Sequence, residues 1–96
     1  MVENGNHFVL QNILGLSDAV SLRDSLLSVM VKGNDLSLDA SGVERISTPC
    51  IQVIFAAALG VEAAGGQFHI ASPSQIVIDA FCDLGMAIPF KRWSSE

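Results

Sequence analysis

Two adjacent hydroxyl residues, Ser47 and Thr48, precede a proline at the start of a long, nearly uncharged segment. Proline is favoured at the first position of a helix and disfavours helical geometry in the residue before it. The pattern therefore predicts a helix that begins at Pro49, with Thr48 as an N-cap that accepts a hydrogen bond from the amide of Cys50 or Ile51. The same position suits a regulatory phosphate, because free amides and the positive end of the helix dipole would meet the anion. Thr48 is thus predicted to be a helix cap or a phosphoacceptor, with Ser47 as the second phosphoacceptor candidate.

The other polar residues do not form a catalytic constellation. His7 and His69 each stand alone in a strand-like segment. Asp79 and Asp83 form a like-charged i, i+4 pair, which we interpret as a solvated helix face rather than a metal site. The sequence has no His-x-x-x-His, GxGxxG, GxSxG or Gx4GK[ST] pattern. We expect no enzymatic activity, no cofactor and no metal.

Composition predicts one soluble cytoplasmic domain over residues 1–96. Half of the residues are hydrophobic, and the net charge of −5 includes only five basic side chains, which disfavours nucleic-acid binding. The start of the chain lacks the basic and apolar regions of a secretory leader, and the apolar run 50–59 is too short to span a bilayer. Cys50 and Cys82 form no CxxC pair, and we expect both to be buried free thiols in a reducing compartment.

Hydrophobic periodicity predicts strands that alternate with helices. In strand-like segments apolar residues alternate with polar ones, whereas in helical segments they recur at three- and four-residue spacing. This alternation is typical of an α/β domain with a largely parallel sheet. The predicted strands are residues 7–14, 35–41 and 67–71, and the predicted helices are 18–31, 49–64 and 72–85.

Finer details of the elements can also be predicted. Ser17 is expected to cap the first helix, and the third helix is expected to begin through Ser72, Pro73 or Ser74. The tail 87–93 is predicted as a short last strand, with Trp93 in a fraying terminus. The third helix is expected to bury one apolar stripe, formed by Ile76, Ala80, Phe81 and Leu84.

The helix after Pro49 has few charges even on the side that should face solvent. Between Thr48 and Ala64 the only charged residue is Glu62. Two faces are apolar, and the remaining positions are also poor in charge. Either the helix is deeply covered, or its exposed strip is a surface for a partner. That strip would consist of Gln52, Ala56, Leu59 and Ala63.

The stretch LSLDASGVERISTPCIQVIFAAA, residues 36–58, resembles the central motif of STAS domains, the fold of bacterial anti-sigma factor antagonists. Asp39, Ser41 and Val43 match the Asp-x-Ser-x-Val pattern of that family. Where the family has Asp-Ser-Ser-Gly-Leu, this chain has Ser-Thr-Pro-Cys-Ile at 47–51, so the phosphorylatable hydroxyl falls on Thr48 and Ser47 replaces the acid. The sequence is similar, through its Cys-x-Gln variant, to small STAS proteins encoded beside bacterial chemotaxis genes. The resemblance covers roughly residues 7–90.

The resemblance implies an α/β STAS-type fold, with a largely parallel small sheet of about four strands packed with three or more helices. It implies a regulatory module that binds a protein partner, such as a GHKL-type serine/threonine kinase or an anti-sigma factor, in sigma-factor or chemotaxis-type signalling. Phosphorylation at Thr48 or Ser47 would weaken that contact. The expected partner-binding residues are Asp39, Ser41, Gly42, Pro49, Cys50, Gln52 and Ala56.

Other functions remain open from the sequence. Some STAS proteins dock on a transporter or its ATPase without a phosphate cycle, and this chain resembles them as well. A small ligand is a further alternative, bound by the loop around Asp39, Ser41 and Thr48. A homodimer through the uncharged helix strip is also left open.

Overall fold

The computed structural model describes residues 6–30 and 35–94 of the chain. Within them, short strands alternate with helices, which confirms the α/β prediction. The elements in chain order are β1 (Asn6–Val9), β2 (Ile13–Leu14), a 3-10 turn (Leu16–Asp18), α1 (Ala19–Met30), β3 (Leu36–Asp39), β4 (Arg45–Ile46), α2 (Thr48–Ala63), β5 (Phe68–Ala71), α3 (Gln75–Asp83) and α4 (Ala87–Ser94).

The strands form two small parallel sheets. One has the order β1-β3-β5, with Leu38 opposite Ile70, and the other pairs β2 with β4, with Leu14 opposite Ile46. The prediction of one strand over 7–14 is therefore wrong, because the chain leaves the first sheet after β1. The intervening Asn12 carbonyl instead accepts hydrogen bonds from the amides of Glu44 and Arg45, at 2.7 and 3.2 Å.

The core lies between the three-stranded sheet and the helices. Strand β3 is central, and its alternating pattern buries Leu36, Leu38 and Ala40, as predicted. Helix α2 ends at Ala63, close to the predicted end, and Gly65 follows with a φ of +83°, a conformation suited to glycine. The helix contributes the largest helical share of the core, through Cys50, Ile51, Ile54, Ala57, Ala58 and Val61.

Helix α3 is rotated relative to the predicted stripe. Ser74 is the N-cap, and its hydroxyl accepts a hydrogen bond from the amide of Val77 while donating to the carbonyl of Val43 at 2.8 Å. This anchorage turns Val77 and Phe81 toward the core. The expectation that the whole stripe is buried is wrong, since Ile76 and Leu84 remain exposed.

The tail forms a helix rather than the predicted strand. Pro89 lies in the first turn of α4, where a missing amide costs no helical hydrogen bond. Trp93 does not lie in a fraying terminus, because its side chain is only 1% exposed. Its ring contacts the rings of Phe55, Phe68 and Phe81, with centroid distances of 5.7, 5.3 and 6.5 Å.

The two cysteines differ in exposure. Cys50 is fully buried, as expected, but Cys82 is exposed on α3, which corrects the expectation of two buried thiols. The buried face of α3 contains Val77 and Phe81, and Cys82 lies about 100° around the helix from Phe81. Among the described helices, none is long and apolar enough to cross a bilayer.

Candidate functional site

Of the two hydroxyl side chains at the start of α2, that of Ser47 is hydrogen-bonded within the protein and that of Thr48 is exposed. Ser47 is the N-cap, with an extended backbone at φ −87° and ψ 158°, and its side chain makes no capping hydrogen bond. Its hydroxyl donates instead to the carbonyl oxygen of Gly15 at 3.1 Å, and its amide donates to that of Leu14 at 2.8 Å. Thr48 is the first helical residue and is exposed. The prediction of Thr48 as N-cap is thus wrong by one residue, because pairing with Leu14 keeps Ser47 extended.

Gly15 joins the start of α2 to the segment before α1. Its carbonyl oxygen also lies 3.4 Å from the Cys50 thiol, and its amide donates to the Asp18 carboxylate at 2.7 Å. The predicted Ser17 cap is therefore absent, since Asp18 closes a 3-10 turn whose N-cap is Gly15. These bonds fix the backbone around Ser47, so that Thr48 projects from a well-anchored junction.

The loop after β3 is closed by its own residues. The Asp39 carboxylate accepts hydrogen bonds from the amide and the hydroxyl of Ser41, at 2.9 and 2.7 Å. Gly42 follows Ser41 where there is little room for a side chain, because an added Cβ would lie 3.0 Å from the Asn12 side-chain oxygen. The backbone hydrogen bond from Ser41, aided by the one from its hydroxyl, lowers the pKa of Asp39 below its ordinary value of 3.8.

Because its pKa is lowered in the folded protein, Asp39 is expected to make a contribution to stability that depends on pH. A carboxyl group whose pKa is lower in the folded than in the unfolded protein contributes stability above the unfolded pKa, and this contribution is lost as pH falls through the folded value. Replacing Ser41 by Ala removes the hydroxyl but keeps the larger backbone contribution, so we expect the Asp39 pKa to rise only part of the way to 3.8. Carboxyl-carbon NMR titration of both proteins measures this directly. Identical titrations would contradict a role for the hydroxyl.

The exposed strip predicted on α2 is present. Gln52, Ala56, Leu59 and Ala63 are all exposed, so the helix is not deeply covered. On its α1 side the strip borders a groove of about 570 Å³ between the two helices. The α2 wall of this groove is formed by Pro49, Gln52, Val53, Ala56, Ala57 and Gly60.

The opposite wall of the groove comes from α1 and was not anticipated as part of a site. Of the lining residues in the described ranges 6–30 and 35–94, only Arg23 is charged, and it is accompanied on α1 by Leu26, Leu27 and Met30. Outside the lining, Val20 on α1 is 62% exposed. The sequence contained one signal of this surface, since Val20 is an apolar residue off the buried face of an amphipathic helix.

The predicted partner-binding residues fall into separate groups. Pro49, Gln52 and Ala56 come together in the groove. A second group, made of residues 39, 41 and 42, forms the hydrogen-bonded loop after β3 and does not line the groove. Cys50 is fully buried, so its prediction as a partner contact is corrected: it faces the core below the junction. In the parts of the chain that the structure describes, no group of three or more His, Cys, Asp or Glu side chains is placed to hold a metal ion.

The fold is similar to that of two solved structures. The structure of the anti-sigma factor antagonist SpoIIAA in its unphosphorylated form matches with a TM-score of 0.73 and 13% identity, over 97% of this chain and 82% of that chain. The NMR structure of the protein TM1081 matches with a TM-score of 0.76 and 21% identity, over 99% of this chain and 74% of that chain. At 13% and 21% identity, the similarity shows that the folds are alike and nothing more.

The sequence itself identifies the family. Residues 3–88 match the model of the family described as Mlab, STAS domain. The chain therefore belongs to the STAS domain family, which confirms the resemblance seen in its central motif and the STAS-type fold. A comparison with curated proteins finds no match.

Proposed function

We propose that this STAS domain is a regulatory protein-interaction module, similar in role to anti-sigma factor antagonists, without catalytic activity of its own. Its partner would bind at the start and along the exposed strip of α2. One observation supports this most strongly: the exposed Thr48 lies next to the exposed strip of α2. Between Gln52 and Ala63 the only charged residue is Glu62. An uncharged exposed strip of this kind is typical of an interaction surface.

Phosphorylation at Thr48 would control this contact. Ser47 is a poorer acceptor, because its half-buried hydroxyl would have to give up the hydrogen bond to Gly15. A phosphate on Thr48 would add a charge of about −1.5 to −2 at neutral pH. The free amides and dipole of the first turn tolerate that charge, so α2 would stay folded. A partner covering the strip would have to desolvate the phosphate, and its affinity would fall.

A GHKL-type serine/threonine kinase or an anti-sigma factor is the partner class that this role implies, in sigma-factor control or chemotaxis-type signalling. Support comes from the fold shared with a solved anti-sigma factor antagonist. The loop of Asp39, Ser41 and Gly42 would form a second, separate part of the contact. Its hydrogen-bonded geometry makes it rigid before binding, which lowers the entropic cost of association.

The intact mass of the protein isolated from its host tests the switch. We expect a fraction of molecules to carry one added phosphate, and fragmentation to localise it to Thr48. A phosphate on Ser47 would show that the Gly15 hydrogen bond does not protect that hydroxyl. An unmodified mass in all growth conditions would refute control by phosphorylation.

A constitutive assembly subunit is the second candidate, docked on an ABC-transporter ATPase without a phosphate cycle. The observation that favours it is the apolar character of the exposed strip at Ala56, Leu59 and Ala63, since permanent interfaces are more apolar than transient ones. A stable complex that co-purifies in fixed proportion and is unaffected by phosphatase would support this role over the switch.

A further inference from the structure

We propose that the groove between α1 and α2 binds an amphipathic helix of the partner protein, oriented by a partner carboxylate that pairs with Arg23. The inference rests on the proposed function, because it identifies the element of the partner that docks beside the α2 strip. It also extends the interface to α1. Three features support it: the shape of the groove, the exposed apolar side chains beside it, and Arg23 as the one charged side chain among the described lining residues.

The groove has the length and floor that suit a helix. Pro49 and Gly60, both in the lining, are eleven residues apart on α2, or about 16 Å along the helix axis. Ala56 and Gly60 keep the α2 wall low, and a Cβ at Gly60 would already lie 3.3 Å from the terminal carbon of Met30. About three turns of a partner helix would fit, with apolar side chains at i, i+3 or i+4, and i+7 entering the groove.

The rims of the groove favour a protein over a lipid or other small ligand. Leu27 in the lining is 52% exposed. Val20 and Leu59 lie one helical turn from the lining residues Arg23 and Ala56, which places them beside the groove, and they are 62% and 48% exposed. A single acyl chain in the groove would leave the rims in water. A helix, about 10–12 Å wide with its side chains, would cover the groove and both rims together.

The charge of the lining selects the partner. Among the described residues that line the groove, Arg23 is the only charged one and none is a carboxylate, although the chain has a net charge of −5. Arg23 does pair with Asp24 at 3.1 Å, but both side chains are about 60% exposed, at 59% and 62%. Neighbouring helix residues do not face each other, and exposed pairs contribute little, so exchange of Asp24 for a partner carboxylate costs little.

A second copy of this chain fits the groove less well. A two-fold symmetric contact would bring the same surface of both copies together. Each copy would then bring its Arg23 to the groove of the other, where no described lining residue offers a carboxylate to pair with it. A partner helix with one acidic residue satisfies both the apolar walls and the charge.

The groove also connects to the switch at Thr48. The next residue, Pro49, lies in the groove lining, so a phosphate on Thr48 would stand beside the end of the bound helix. The phosphate and the partner carboxylate are both negatively charged, and like charges brought together at an interface oppose binding. Phosphorylation would therefore act on the docked helix as well as on the α2 strip.

Photocrosslinking of the full chain in its host tests the inference. p-Benzoylphenylalanine is placed at position 56 in the groove, at Leu27 on its rim in case the first variant blocks the groove, and at Ser28 as an exposed α1 control outside the lining. We expect positions 56 and 27 to crosslink to one partner segment that has apolar i, i+4, i+7 spacing and an Asp or Glu, whereas position 28 does not.

A charge exchange with that segment completes the test. Arg23→Glu should weaken binding about tenfold or more, and replacing the partner's acidic residue by Arg should restore it. A crosslink to a second copy or to a lipid, a segment without this pattern, or failed restoration would overturn the inference. The same crosslinker is also placed at Thr48. If only the Thr48 variant captures a partner, the groove inference fails and the proposed function stands. If no variant captures a partner, both fail.

Discussion

Trp93→Ala should lower the free energy of unfolding by about 3–5 kcal/mol, as is usual when a buried tryptophan is truncated. The side chain is only 1% exposed and contacts three phenylalanine rings, so its removal leaves a cavity between α4, α2 and β5. Its indole N–H also donates to the Glu62 carboxylate at 3.0 Å. Small domains have a total stability of about 5–15 kcal/mol, so this loss is a large fraction of the total.

Urea unfolding followed by far-UV circular dichroism measures this loss, since the variant has no tryptophan fluorescence. Ile88→Ala is the matched control on the same helix, because that side chain is 83% exposed, and its effect should stay within about 0.5 kcal/mol. Equal stability of the two variants would mean that α4 does not pack on the core. The aromatic cluster of Trp93 with Phe55, Phe68 and Phe81 would then not hold α4 in place.

The central strands and α2 could be predicted because their residues follow one clear period. Leu36, Leu38 and Ala40 alternate along β3, and Gly65 marks the end of α2. Strands β2 and β4 could not be predicted, since each has only two residues and depends on pairing with the other. A two-residue strand is too short to show an alternating pattern, so it can be recognised only from its pairing in the folded structure.

The errors at the C-terminal end have a tertiary cause as well. The tail is predicted as a short strand, but it forms a helix, with Pro89 in the first turn of α4, where proline is tolerated. The aromatic ring of Trp93 then finds Phe55, Phe68 and Phe81, which come from three other elements. Sequence spacing alone cannot place four rings from distant segments in one cluster.

The candidate site could be predicted on α2 and in the loop after β3, but not on α1. The hydroxyl pair and the strip of Gln52 and Ala56 follow from helical spacing, whereas Arg23 joins them through the packing of α1 against α2. Cys50 was misplaced because helical spacing gives faces but not which face is covered. The structure also separates two hydroxyls that the sequence treats alike, since only Ser47 donates to Gly15.

Thr48→Glu should weaken partner binding about tenfold or more, whereas Thr48→Ala should bind as the wild type does. The glutamate places a negative charge beside an uncharged surface, and a partner that covers it must desolvate that charge. Folding should be unaffected, because an acidic residue in the first turn of a helix is stabilising by about 0.3–1 kcal/mol. Any loss of affinity therefore reports on the contact and not on unfolding.

Binding is measured by titration calorimetry with the partner identified by photocrosslinking in the host, and stability is measured in parallel. Ser47→Ala is the positional control: it removes the hydrogen bond to Gly15 and should cost about 0.5–1.5 kcal/mol of stability, yet leave affinity nearly unchanged. The two neighbouring hydroxyls would then separate cleanly, one affecting stability and the other affinity. Equal binding by the Glu and Ala variants of Thr48 would show that charge at this position does not control the contact, and would favour a constitutive subunit.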